Sequence, residues 1–363
     1  MPFPPLTIGD LTVRIPIVQG GMGVGISLSG LASAVAEAGG IGVIAAAGIG
    51  MGRSGYASNF IETNNQALSD EIRAAREKTS GAIGVNIMVA LTNYADLAAT
   101  AVKEGIDAIF SGAGLPLDLP AYLPEGCRTK LVPIVSSARA AVILCKKWLS
   151  RFGRVPDAFV VEGPLAGGHL GFKKEQLTDP DHALEKVVPE VIAGVRPYTA
   201  PNGQPIPVIA AGGVYTGADI RDYIRMGAAG VQMGTRFVAT DECDADMAFK
   251  QTFIDAKQED LVIIRSPVGL PGRAISNLFL IEASKGNRRP KTCPFNCAHS
   301  CDYTTTPYCI MMALMNAKKG NLEHGFAFAG QNAWRVDAIV PVQELIDCLE
   351  AEYDAAVRAE NQG

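Results

Sequence analysis

The stretch PVIAAGGVYTGADIRDYIRMGAAGVQMGTRF, residues 207–237, holds the plan of the chain in miniature. Residues 207–211 are apolar with no polar alternation, as expected of a strand covered on both faces. Residues 218–226 follow with spacing near 3.6 residues, Gly227 stops that helix, and a second apolar run occupies 230–233. Strand, helix and strand in so short a span make a parallel βαβ unit.

The same pattern extends in both directions. Apolar runs bounded by Gly, Pro or Asp occupy 15–19, 41–46, 83–89, 108–111, 131–135, 158–161, 207–211 and 230–233. Helical spacing lies between them at 28–38, 57–78, 94–104, 138–151, 183–195 and 218–226. Eight alternations predict an α/β protein with a closed TIM (β/α)8 barrel and not an open doubly wound sheet. Residues 112–126 are too rich in proline for a long helix. The expected division is a barrel over 1–240, an inserted, mainly helical cap over 241–321, and a return segment over 322–363. The helix at 342–358 in that last segment, with Leu345, Ile346 and Leu349 on one face, would complete the barrel.

Composition narrows the function. The 363 residues are 48% hydrophobic and 19% charged, and the net charge is 32 − 37 = −5. A slightly acidic chain without a Lys/Arg-rich tract attracts neither nucleic acid nor an anionic membrane surface, so the expected partner is a small-molecule substrate. A homo-oligomer is compatible with all of this. The first residues lack a basic segment followed by an apolar one, and later apolar stretches are glycine-broken and too short to span a bilayer. A cytoplasmic protein is expected, with its eight cysteines as reduced thiols or metal ligands.

Barrels of this kind carry their chemistry at the C-terminal ends of the strands. The loops after strands seven and eight, AAGGVYTG and QMGTRF, offer backbone N–H groups that no side chain obstructs, which is how such a barrel holds a phosphate. The plainer alternative is that these glycines only turn the chain. After strand one, residues 19–23 read QGGMG, and a backbone without Cβ atoms can approach a planar ring; a tight turn is again the alternative. His169, one of four histidines, stands in GGHLG after strand six, where flanking glycines let it project into the rim as an acid or base. A histidine bonded only to loop backbone is its alternative. His182, His299 and His324 lack such a setting.

Taken in order, PIVQGGMG, GVNIMV, AGGHLG, PVIAAGGVYTG, MGAAGVQMGTRF and HGFAFAGQNA resemble the nitronate monooxygenase (2-nitropropane dioxygenase) family, which also contains the flavin-dependent enoyl-acyl-carrier-protein reductases of type II. The resemblance spans nearly the whole chain. It implies an FMN-bearing barrel in which Gly21, Met22 and Gly23 contact the flavin. Asn86 and Gln331 would lie near its polar edge, and Gly212, Gly213, Gly234 and Thr235 would hold its phosphate. His169 would match the family's active-site histidine.

One segment departs from that pattern. CPFNCAHSCDYTTTPYC brings Cys293, Cys297, Cys301 and Cys309 into a short stretch, and four thiolates can hold an iron–sulfur cluster or zinc. The spacing matches neither the ferredoxin pattern nor the paired zinc-ribbon pattern, so iron–sulfur, zinc and free thiols all stay open. The segment also has few large apolar residues, which predicts that a metal is needed to order it.

Three functions follow. The first is an FMN-dependent nitronate oxidation with His169 as acid/base. The second is an NAD(P)H-dependent flavin reduction of enoyl thioesters or quinones. The third, of another class, is a non-catalytic barrel that binds a phosphate ligand.

Overall fold

The structure, a computed structural model, describes residues 3–361; the outermost residues of the first and last expected segments lie outside them. Eight parallel strands close into a barrel: Ile17–Gln19, Ile41–Ala45, Ala82–Met88, Ala108–Gly112, Lys130–Val135, Phe159–Glu162, Val208–Ala211 and Gly230–Met233. The eighth strand pairs back onto the first through Val231↔Ile17, so no edge is left open. Alternate residues of each strand serve two cores. Val18, Val43, Phe110, Val132, Val160 and Ile209 fill the barrel interior, whereas Ile44, Ile83, Ile109, Val161 and Val208 pack outward against the helices. Burial on both sides is why the strands read as unbroken apolar runs.

Helices stand between the strands. Two of them begin where a side chain accepts the exposed N–H groups: Ser137 caps Ala138–Phe152, and Thr216 with Asp219 forms a reciprocal box ahead of Gly217–Arg225. The proline-rich stretch after the fourth strand carries only a 3₁₀ turn, Leu119–Tyr122, and no long helix, as its composition predicted. Two features were not expected. An antiparallel hairpin, Leu6–Ile8 with Leu11–Val13, plugs the bottom of the barrel with Leu6, Ile8 and Val13. Residues 241–321 include a second hairpin, Leu261–Arg265 with Pro271–Ile275, beside the helices Met247–Ile254, Leu278–Ser284 and Ile310–Lys318.

The last helix, Val342–Asn361, lies on Gly217–Arg225 and buries Leu345, Ile346 and Leu349. The contact is so close that a Cβ on Gly217 would sit 2.2 Å from the Leu349 carbonyl oxygen. Glu352 accepts the Gly217 N–H at 2.7 Å. Among the described residues no helix is long and apolar enough to cross a membrane.

Candidate active site

The strand ends converge on one cavity of about 500 Å³. Gly21, Met22 and Gly23 reach it from the first strand, Asn86 from the third, His169 from the loop after the sixth, Gly212 and Gly213 from the seventh, Gly234 and Thr235 from the eighth, and Gln331 from the return segment. The cavity therefore gathers every residue that the sequence singled out except three of the cysteines.

The glycines are needed for reasons the sequence did not reveal. At Gly21 the limit comes from the protein itself, because a Cβ would fall 2.3 Å from the Asn86 Cβ. Gly212 and Gly213 adopt φ of 88° and 113°, a region that L side chains rarely enter. A Cβ on Gly213 would press on Leu165, 3.1 Å away, itself part of the cavity wall. Among the described residues, the N–H groups of Gly213, Val214, Thr235 and Arg236 find no protein acceptor. The return segment holds these loops in place: Asn332 donates to the Gly213 carbonyl at 2.7 Å, and the Gly330 N–H donates to Thr235 Oγ1 at 3.2 Å.

His169 is anchored by a separate apparatus. Gly168–His169 forms a short strand that pairs antiparallel with Pro271–Ile275 through Gly272↔His169. On that neighbouring strand the buried Arg273 donates through Nη1 to the Pro164 and Ala166 carbonyls at 2.7 and 2.6 Å, clamping the start of the His169 loop. Nε2 of His169 lies 2.7 Å from the hydroxyl of Ser266, itself buried, and the ring meets Phe328 edge-on at 5.1 Å between centroids. Burial lowers the imidazole pKa to about 4, below the ordinary value assumed for an exposed rim position, so His169 is neutral near pH 7. A neutral imidazole has one donor and one acceptor nitrogen, and the Ser266 hydroxyl, which can serve either, engages Nε2 and holds the ring in place.

Sequence reading missed Ser266, Arg273, Asn332 and Glu162, the last of which ends the sixth strand and lines the cavity. Ser266 and Arg273 lie about a hundred positions from His169, and no local pattern foretells that the second hairpin pairs with the GGH loop. Glu162 did carry a signal, as an acidic residue closing an apolar barrel strand.

The chain matches the nitronate monooxygenase family over residues 5–352. It belongs to that family. A probable nitronate monooxygenase of Staphylococcus aureus (strain Newman) is 28% identical over 311 residues, covering 76% of this chain and 79% of that protein. FabK of Thermotoga maritima is 28% identical with a TM-score of 0.74, covering 96% of both chains. A nitroalkane oxidase of Streptomyces ansochromogenes shares the fold at 24% identity, with a TM-score of 0.72 over 96% of this chain and 98% of that one.

Membership of the nitronate monooxygenase family leaves the cysteine segment to be accounted for. The expected metal centre on Cys293, Cys297, Cys301 and Cys309, whether iron–sulfur or zinc, is not supported: among the described residues no three His, Cys, Asp or Glu side chains converge as a metal site. All four cysteines are free. The segment orders itself by other means. The Thr92 N–H donates to the Cys297 carbonyl and the His299 N–H to the Ala90 carbonyl, at 3.2 and 3.0 Å. Phe295 packs on Tyr56 at 5.2 Å, and Tyr308 on Phe279 and Phe326 at 5.5 and 5.6 Å. These aromatic contacts supply the burial that the sequence argument assigned to a metal. Cys297 is buried and lines the cavity, which places this segment at the mouth of the site.

Proposed function

We propose that the protein is an FMN-dependent oxidoreductase of the nitronate monooxygenase type, with His169 as its acid/base. The observation that carries this reading is a single cavity that joins glycine loops with unused N–H groups to a neutral, firmly anchored imidazole. The residues present fit the cofactor. The N–H groups of Gly213, Val214, Thr235 and Arg236 suit its phosphate. Gly21, Met22 and Gly23 suit the ring, with Asn86 and Gln331 as amide partners for the polar edge. Bound FMN would supply the two-electron acceptor that no side chain provides. A neutral His169 can take the acidic proton from the carbon next to a nitro group, or donate its N–H to an anionic nitronate. Ser266 keeps that ring in one orientation, and Phe328 excludes water from one edge.

A second reading, NAD(P)H-dependent reduction of enoyl thioesters or quinones, is favoured by one observation: Ile310, Met311 and Leu314 give the cavity an apolar wall suited to a hydrocarbon chain. In this reading His169 would deliver a proton while hydride comes from reduced flavin. The two are separated by turnover. Oxygen consumption driven by a nitronate, abolished in His169→Ala while flavin is retained, supports the first. NAD(P)H oxidation coupled to an enoyl thioester or a quinone, without nitronate turnover, moves the assignment to the second. No turnover with either would leave a non-catalytic binding barrel.

A further inference from the structure

The sixth barrel strand ends on a carboxyl group that the protein does not use. Along Phe159–Glu162, Phe159 and Val161 pack outward while Val160 packs into the barrel, so the period of two turns Glu162 to the interior side at the mouth of the barrel. Its side chain lines the cavity that also holds His169 and the glycine loops. Among the described residues it has no hydrogen bond or ion pair. Its register partner is Ala211, immediately before Gly212, and the strand on the other side brings Ile134 and Val135; none of these side chains can pair with it. Among the described residues no lysine or arginine lines the cavity, and the only other titratable groups that do are His169, Tyr215 and Cys297. With nothing to offset burial, the carboxyl pKa is pushed up to about 8, and the group is protonated at neutral pH.

A half-buried acid that faces a cavity without a protein partner adds nothing to folding that an apolar residue would not supply better. Its partner is therefore what enters the cavity. We propose that protonated Glu162 donates a hydrogen bond to an oxygen of the ribityl–phosphate arm of the bound nucleotide, and that its ionisation weakens the hold on that anion. The position beside Ala211 puts the carboxyl at the root of the Gly212–Gly213 loop. Once ionised, it would share a cation-free cavity with a phosphate dianion, where repulsion is poorly screened. The proposal rests on the FMN reading above.

The test is FMN affinity, measured by flavin fluorescence on the flavin-stripped full-length chain, across a pH range that brackets 8. Wild-type affinity should fall about tenfold per pH unit above about pH 8. Glu162→Gln keeps a donor and cannot ionise, so it should bind comparably at neutral pH and show no such fall. Glu162→Leu should bind weakly at every pH. Thermal unfolding gives a readout that needs no ligand. A carboxyl whose folded pKa is raised holds its proton in the native state and loses it on unfolding, so wild-type Tm should drop relative to Glu162→Gln as pH rises from about 4.5 to about 8. Flavin binding with the same pH profile in wild type and Glu162→Gln overturns the proposal and leaves the flavin reading intact. Parallel Tm curves overturn it as well. Failure of all three proteins to bind FMN overturns the flavin reading, and the proposed ligand contact with it.

Discussion

Replacing Arg273 by Met should release the loop that carries His169 while leaving the barrel standing. Arg273 donates two short hydrogen bonds, 2.7 Å to the Pro164 carbonyl and 2.6 Å to the Ala166 carbonyl. A hydrogen bond from a charged donor contributes about 1.5–3 kcal/mol, and stranding a buried carbonyl costs about 1–3 kcal/mol. These contributions do not add in full, because both bonds come from the same Nη1. Burying the guanidinium also has a cost, visible in a pKa lowered to about 10 by desolvation, and Met removes it. The net loss is therefore about 2–3 kcal/mol, which corresponds to a roughly 30- to 150-fold increase in the open population of the loop. Hydrogen exchange read by mass spectrometry should show faster exchange at residues 166–171, with the barrel strands unchanged. Turnover should fall as His169 loses its fixed geometry. Unchanged exchange across 166–171 would refute the argument, since it would mean that the pairing of Gly168–His169 with Pro271–Ile275 alone holds the loop. An equal loss of protection everywhere would refute it in the other direction.

Four further outcomes are expected. His169→Ala should keep flavin and lose turnover by about 10²–10⁴-fold, the usual contribution of a positioned acid or base; near-normal rates would reduce His169 to a structural role. Ser266→Ala should lower kcat by roughly tenfold with little change in KM, and should move the acid limb of the pH profile, because the imidazole loses the hydrogen bond that holds its ring in place. Gly21→Ala forces a methyl to within 2.3 Å of Asn86 Cβ and should cost about 1–3 kcal/mol in chemical unfolding together with weaker flavin retention. His169 has a folded pKa lowered to about 4, so the unfolded chain binds more protons; stability should decline as pH falls from about 6.5 to about 4, and His169→Gln should flatten that decline in thermal scans.

Local patterns made the barrel legible. Strands buried on both faces leave apolar runs that need no knowledge of their neighbours, and Gly227 marks a helix end from its own conformational freedom, with φ of 99°. The glycine loops and His169 were legible for the same reason, since each lies within a few residues of a strand end. The framework that fixes them was not. Arg273 and Ser266 act on residues about a hundred positions away, through a hairpin whose pairing with Gly168–His169 has no sequence signature, and Asn332 reaches Gly213 from the return segment over a similar distance in the chain. The cysteine segment is the opposite case. Four thiols in close spacing suggested soft ligands, but Phe295 and Tyr308 reach aromatic partners at Tyr56, Phe279 and Phe326, distant contacts that a local count of apolar residues cannot register.

The central claim is that one cavity holds FMN at the glycine loops and presents it to His169. Chromatography of the cofactor released by heat from purified protein tests it most directly. About one FMN per chain is predicted, falling well below that in Gly213→Phe, where the required φ of 113° and the contact with Leu165 exclude a large side chain. Recovery of FAD, absence of any flavin from protein competent to fold, or full retention of FMN in Gly213→Phe would contradict it.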